Sequence, residues 1–357
     1  MKYVAETTFL LLGTIVGSGF VSGREIVAFF GGNILFLSLF AGALFFLTTW
    51  LLLSVGSRYG SLERGNAALF GKAEKTVNAA VFFCLFAVSA ASLAIVDATL
   101  SFAGIDERIP AASLPTLIFA ALAARRGIDG VKKLNAFLVP VMLALTLALL
   151  FGRGKFSFGA PVCVTAKGPP GVAFYVGFNM FLSASVVARA GGGGKREALL
   201  VSALTGAVSA LLIALIWGAV NYEGKNAADA ALPLAYVFSA SPAASVVFGV
   251  VLYAGAFTTA VCSYYPLADF AERRYGGKGA FVMAAAVFAF SRFGVKWIVD
   301  YVYPAAGVLG ALYFVALFAA AAYKNGKTGN IKSKKKRKVH RYGKEEKTGG
   351  ETLRRGL

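Results

Sequence analysis

The stretch Leu11-Leu12-Gly13-Thr14-Ile15-Val16-Gly17-Ser18-Gly19-Phe20-Val21-Ser22-Gly23-Arg24-Glu25 decides how this chain is read. It lies inside an apolar run over 6–30, long enough for a helix to cross a hydrocarbon core of ~30 Å. Yet its middle holds four glycines and two serines. Each glycine costs a helix ~1 kcal/mol relative to alanine. Two readings fit such a span. One is close packing on a neighbour through Gly13-xxx-Gly17 and Gly19-xxx-Gly23. The other is a deliberate interruption, which in membrane carriers places backbone groups at a solute site near mid-bilayer.

Composition shows that this run is not alone. Of 357 residues, 58% are hydrophobic and 15% charged, where a soluble domain carries about a quarter charged. Ten apolar runs are read as spans: 6–30, 34–57, 77–103, 111–124, 134–152, 171–188, 197–220, 243–271, 279–290 and 297–323. None alternates strictly, so a β-barrel is excluded in favour of an all-α membrane protein. The first run is not followed by a small-residue cleavage site, so it is read as a retained helix.

Loop charges orient the spans. Loops after even-numbered spans carry 14 Lys/Arg and loops after odd-numbered spans carry 7. Both termini are therefore expected in the cytoplasm. The segment 324–357 holds 13 Lys/Arg against 3 Glu, +10 of the total +19. It is read as a disordered tail that meets anionic lipid at ~1 kcal/mol per basic residue near the surface, not nucleic acid. Ten spans with both ends inside divide into five plus five, with repeats over about 4–152 and 171–323. Since five is odd, the second repeat is inverted. Its first span contains Tyr175-Val176-Gly177-Phe178-Asn179-Met180-Phe181, with Gly177 and Asn179 placed to match the break in span one. A second interruption is expected there.

Ionisable groups inside spans are costly and so informative. Arg24, Glu25, Asp97 and Asp300 all fall in the outward half by this topology. Arg24 is expected to meet Asp300 or Asp97 as an outer gate, and Glu25 or Asp97 is a candidate proton site. Thr258 and Thr259 supply two adjacent hydroxyl oxygens in span eight, of the kind a hard cation takes, although such threonines commonly bond back to their own helix. Cys84, Cys163 and Cys262 lack metal-ligand spacing, and the one histidine, His340, lies in the tail. Gly191–Gly194 before Lys195 lacks the spacing of a phosphate loop. No nucleophile–base set lies in the membrane, so an enzyme is not expected, and no cofactor is called for.

The segment from Gly13 to Phe30, with Gly-Ser-Gly-Phe-Val-Ser-Gly-Arg-Glu, resembles the opening signature of YkvI-type bacterial membrane proteins. Tyr175 to Asn179, Phe257-Thr258-Thr259 and Tyr303-Pro304 to Gly310 resemble that family too. The family is similar to the LeuT-like fold of the amino acid–polyamine–organocation superfamily. That implies an inverted five-plus-five repeat with broken helices one and six, in a bacterial cytoplasmic membrane. It also implies a secondary transporter of a small polar solute, an amino acid or related amine. By this resemblance Gly13, Val16, Gly255, Thr258 and Thr259 match a sodium site. Gly17, Ser18, Gly19, Gly177, Asn179 and Phe181 match the solute site, with Phe181 as the aromatic that closes over it. The usual gate arginine falls at Gly23, one residue before Arg24, which departs from the pattern. Span five has no internal lysine of the kind that replaces sodium in proton-driven relatives. Sodium coupling is therefore the expectation. Proton coupling or exchange is the alternative, and a channel or sensor on the same fold is the reading from another class.

Overall fold

A computed structural model describes residues 1–100, 109–159, 168–230, 232–293 and 305–322; the side chains of Ser18 and Ala98 are outside it. Asp300, Cys163 and the basic tail also lie outside the described residues.

The described chain is all-helical. Near its start come α1 (Lys2–Ile15), α2 (Ser18–Val21) and α3 (Arg24–Phe29). Next are α4 (Ile34–Tyr59), the short α5 (Leu62–Phe70), α6 (Glu74–Ala98), α7 (Ser113–Arg125) and α8 (Gly127–Arg153). Then follow α9 (Gly168–Ala190), α10 (Lys195–Glu223), two short turns α11 (Lys225–Asp229) and α12 (Pro233–Phe238), and α13 (Pro242–Ser291). The last helix is α14 (Ala305–Ala322). Among the described residues seven stretches are long and apolar enough to cross a membrane: α4, the α5–α6 stretch to Asp97, α8, α9, α10, α13 and α14. The shorter α7 is also apolar.

Local chemistry sets the boundaries. Asn33 caps α4 by accepting the Phe36 N–H at 3.1 Å, and α4 ends at Gly60, whose φ of 77° suits only glycine comfortably. Ser61 caps α5, and Ser241, followed by Pro242, caps α13. The runs at 243–271 and 279–290 both fall within α13. At Gly276 (φ 68°, ψ −166°) the helix is broken. The Tyr264 hydroxyl, sixteen positions away, donates to the Ala280 carbonyl at 3.2 Å. A straight helix would separate those residues by ~24 Å, so the chain doubles back at Gly276.

Residues Met1–Phe314 form one compact unit; 315–357 form a second, described only over 315–322. In the first unit α1 touches α8, α9, α10 and α13, while α4 packs against α9 and α10. Gly42 and Gly206 let the backbones of α4 and α10 meet: a Cβ on Gly42 would lie 2.8 Å from the Gly206 carbonyl. Helix α9 has 83% of its apolar window inside the protein, against 28% for α8. The central helices therefore include α9, and α8 turns most of its surface outward.

Two groups of ion pairs tie helix ends together. Arg153 at the end of α8 pairs with Glu223 at the end of α10 and donates to the Val237 carbonyl of α12. Arg189 at the end of α9 pairs with Glu63 of α5 and Asp269 of α13. Each group joins ends that follow spans of one parity.

The expected interruption in the sixth span is absent, because α9 runs unbroken from Gly168 to Ala190. Gly177 is used for close approach instead. A Cβ there would lie 2.6 Å from the Ala311 nitrogen of α14. Asn179 does not unwind the helix either; its side-chain NH₂ donates to the Tyr175 carbonyl one turn back at 3.0 Å.

Candidate cation and solute site

The first span is interrupted. Its last regular bond runs from the Val16 N–H to the Leu12 carbonyl at 2.7 Å, and Val16 leaves the helix at φ −84°, ψ 60°. The carbonyls that follow Leu12 therefore stand at a helix C-terminus, where the macrodipole places partial negative charge. Four residues of α2 follow. Gly23 then makes a left-handed turn (φ 79°) that starts α3 in a new direction.

Helix α13 lies against this break. A Cβ on Gly17 would sit 2.5 Å from Thr259 Oγ1, so the hydroxyl rests on the backbone itself. Thr258 is fully buried, and Thr259 is half-buried. Both hydroxyls donate to the Gly255 carbonyl, at 3.1 and 2.9 Å. This is the helix back-bonding that threonines commonly show, and it has a chemical consequence. Each proton is turned into the helix, which leaves the oxygen lone pairs available. The Gly255 carbonyl is meanwhile occupied by two donors.

Asn135 of α8 completes the arrangement, and sequence reasoning missed it. Its NH₂ donates to the Val131 carbonyl at 2.9 Å and to Cys262 Sγ at 3.4 Å. Its oxygen makes no hydrogen bond among the described residues and is fully buried against Gly13, where any Cβ would overlap it. The available signal was an amide in an otherwise apolar run, Leu134-Asn135-Ala136-Phe137. The break thus meets neutral oxygens from three elements, with no anion among them. Such a set suits a cation that brings its own charge.

Because α9 stays helical, its expected solute residues divide between two faces. Tyr175, Asn179 and Ser183 follow one another at four-residue spacing and face the break; Ser183 donates to Thr14 Oγ1 at 2.8 Å. Gly177 and Phe181 lie on the other face, toward α14. Phe181 packs on the Tyr313 ring at 5.3 Å, and the Tyr313 hydroxyl donates to Asn66 at 3.0 Å. Of the three residues expected from α9, the structure brings only Asn179 near the break. The aromatic beside the broken helix is Tyr175, whose ring lies 5.2–6.5 Å from those of Phe20, Phe29, Phe30 and Phe45.

Of the two expected gate partners of Arg24, Asp300 lies outside the described residues and Asp97 is engaged elsewhere. Asp97 does not meet Arg24. Its carboxylate pairs with Arg292 at 2.5 Å and accepts the Ala112 and Ser113 N–H groups at 3.2 and 2.8 Å. An acid that caps the start of α7 and holds a guanidinium has no reason to seek another partner. Arg24 is exposed and makes no ion pair among the described residues. Glu25 is half-buried, with its carboxylate packed against Gly19. At the other end of the bundle Arg189, with a side chain only 10% exposed, holds Glu63 and Asp269 and lies over the Tyr265 ring at 5.6 Å. The sequence showed it only as one loop charge among many.

No family model matches the chain. It is homologous to the uncharacterized membrane protein YkvI of Bacillus subtilis (strain 168), at 29% identity over 160 residues. The match covers 43% of this chain and 46% of that protein, so it spans under half the length of the relative. Three solved transporters share the fold. MhsT in complex with L-phenylalanine superposes with a TM-score of 0.66 at 16% identity, over 90% of this chain and 91% of that one. A sodium-coupled sialic acid symporter gives 0.60 at 14%, over 88% and 78%. Mhp1, a nucleobase-cation-symport-1 family transporter with bromovinylhydantoin bound, gives 0.57 at 14%, over 87% and 78%. These are LeuT-fold proteins, and none of the three is an enzyme.

Proposed function

We propose that this YkvI homologue is a secondary active transporter that couples a small polar solute, an amino acid or related amine, to sodium. One observation carries the reading. The interrupted first span meets the Thr259 hydroxyl, whose proton is turned into its own helix beside that of Thr258, and an amide oxygen with no hydrogen bond among the described residues. In this reading the sodium ion is held by the carbonyls of Gly13 and Val16 and the hydroxyls of Thr258 and Thr259, with the Gly255 carbonyl orienting both hydroxyls. The solute sits beside the break, among Gly17, Ser18, Gly19 and Asn179. Gly177 and Phe181 join it only if α9 shifts against α14.

The architecture proposed around this site has ten membrane helices in two inverted repeats, about 4–152 and 171–323. Both termini face the cytoplasm of a bacterial cell, and the 324–357 tail rests on anionic lipid. The ion acts by binding one access state better than the other. Sharing the fold with a sodium-coupled symporter supports sodium, and MhsT with its bound L-phenylalanine supports an amino-acid-sized solute. Asp300 remains the proposed outer gate carboxylate.

The test is uptake into proteoliposomes from a panel of labelled amino acids and amines, with an imposed sodium gradient or an equal potassium gradient. Uptake that needs inward sodium and disappears in the Thr258→Val/Thr259→Val variant supports the reading. Flux that runs down the solute's own gradient, indifferent to sodium, makes the protein a channel. Binding without flux makes it a sensor.

A further inference from the structure

A slot of about 600 Å³ lies apart from the broken first helix, between α5, α6, α9 and α13. That volume is in the range of ligand sites, ~300–1,000 Å³. Along α6 the wall runs from Lys75 to Phe86. That length of helix measures ~16 Å, about half of a ~30 Å hydrocarbon core. The slot is thus one leaflet deep. Its side is open where Ala79, Phe83 and Phe270 are exposed, and apolar residues exposed on membrane helices face lipid. Arg189 lies at its polar end through Glu63, which the proposed topology puts on the cytoplasmic side.

Polarity is graded along the slot. At its end stand Glu63, Glu74 and Lys75, with Lys72 in the preceding turn. One turn deeper come Asn78 of α6 and Ser185 of α9. Beyond them the wall is apolar, with Phe82 and Phe86. Charge, then hydrogen-bond donors, then hydrocarbon is the order of a phospholipid: phosphate, ester carbonyls, acyl chain.

The middle layer holds open donors. Ser185 is only 4% exposed, and its hydroxyl makes no hydrogen bond among the described residues. Its neighbour Ser183, by contrast, bonds back to the Asn179 carbonyl at 2.7 Å. Asn78 is oriented by a relay. The Tyr313 hydroxyl donates to the Asn66 oxygen at 3.0 Å, and the Asn66 NH₂ donates to the Asn78 oxygen at 2.7 Å. The Asn78 NH₂ is left without a partner among the described residues. Purely apolar packing would not retain two unanswered donors. Ester carbonyls accept from both.

The rim selects the headgroup. Glu63 already holds Arg189. Lys72 and Lys75 are exposed and form no ion pair among the described residues, so two cations stand against Glu74 alone. A net positive rim suits a phosphodiester with one negative charge, and basic pockets between membrane helices on the cytoplasmic side take such headgroups. The basic 324–357 segment would be repelled here, and a free phosphate would leave the apolar depth unfilled.

We propose that this slot binds one anionic phospholipid of the phosphatidylglycerol type. Its phosphate lies at Lys72 and Lys75, its ester carbonyls at Asn78 and Ser185, and an acyl chain against Phe82 and Phe86. By filling the space beside Leu62 and Glu63, the lipid holds α5 against α9. The site does not depend on the cargo or the coupling ion.

Thermal unfolding of the detergent-purified full chain tests it, with dioleoyl phosphatidylglycerol titrated into the micelles. Dioleoyl phosphatidylcholine at equal mole fraction and inorganic phosphate are the controls. Phosphatidylglycerol is expected to raise the melting temperature by ~2 °C or more, and neither control to do so. Lys72→Gln and Lys75→Gln should each weaken the apparent lipid affinity ~5-fold. Ala79→Trp, at an exposed position on the wall, should abolish the shift by occupying the slot while leaving the basic tail intact. Phosphatidylglycerol with a photoactivatable acyl chain should label α6 peptides covering 78–86. If Ala79→Trp does not fold, the lysine variants and the labelled peptides carry the test. The proposal is overturned if phosphatidylcholine or phosphate stabilises equally, if these variants keep the full shift, or if the label falls on the tail instead of α6. The sodium response, measured on the same samples, should be unchanged in these variants, so failure here leaves the transporter reading standing.

Discussion

The side-chain oxygen of Asn135 is buried against Gly13, in contact with the backbone of the broken helix and hydrogen-bonded to nothing among the described residues. The amide is held in that orientation from its nitrogen side by Val131 and Cys262. An oxygen pinned in place without a donor costs ~1–3 kcal/mol when buried. A cation bound between α1 and α13 would offset that cost.

Gly13→Ala is therefore expected to destabilise the protein by ~1–3 kcal/mol, because the new methyl overlaps both Asn135 and Val139. Asn135→Ala removes the larger collision. Thermal unfolding of the four proteins in the double-mutant cycle should show clear coupling, with the double variant more stable than Gly13→Ala alone. Additive losses would place the two residues out of contact.

Thr258→Val and Thr259→Val keep the branched shape and delete one hydroxyl each. Both hydroxyls bond within α13, so each change should cost only ~1 kcal/mol without sodium. The stabilisation gained on replacing potassium with sodium should be lost in either. Melting curves in the two salts check this directly; a sodium response retained in both variants would move the ion elsewhere.

Arg189 holds two carboxylates from α5 and α13 with little access to water. Arg189→Gln leaves Glu63 without its cation, while Asp269 keeps Arg273, and should cost ~3 kcal/mol. Glu63→Gln in that background should recover part of the loss, since Glu63 is the charge left without a cation while Asp269 keeps Arg273. The readout is unfolding temperature in detergent, and a double variant less stable than Arg189→Gln would contradict the arrangement.

Asp97 is bonded both to Arg292 and to the first N–H groups of α7. Asp97→Asn keeps an acceptor for those N–H groups, whereas Asp97→Ala removes it. The alanine variant should therefore be the less stable by ~1 kcal/mol or more, measured by the same melts.

The break in the first span was legible because glycine and serine accumulate where a membrane helix needs strong formers, and no tertiary contact was required to see it. The pairings Arg153–Glu223 and Arg189–Glu63 were not legible, because a count of loop charges names no partners. The second break was misjudged because a glycine has two uses. Gly177 could loosen a helix or admit a neighbouring backbone, and only the position of Gly310 and Ala311 decides between them. Asp97 was one of two expected partners for Arg24, with Asp300, because all three lie in the outward half; the pairing of Asp97 with Arg292, 195 positions away, depends on how α13 doubles back. Asn135 was passed over because a neutral amide carries no charge cost and so announces nothing until its oxygen is found without a donor.

Equilibrium binding of radioactive sodium to the purified protein tests the central claim most directly. Saturable binding, displaced by unlabelled sodium but not potassium, is predicted. It should be abolished in Thr258→Val/Thr259→Val and weakened several-fold in Asn135→Ala. Saturable binding that survives both changes, or no saturable binding in the wild type, would contradict a sodium site between the broken first helix and α13.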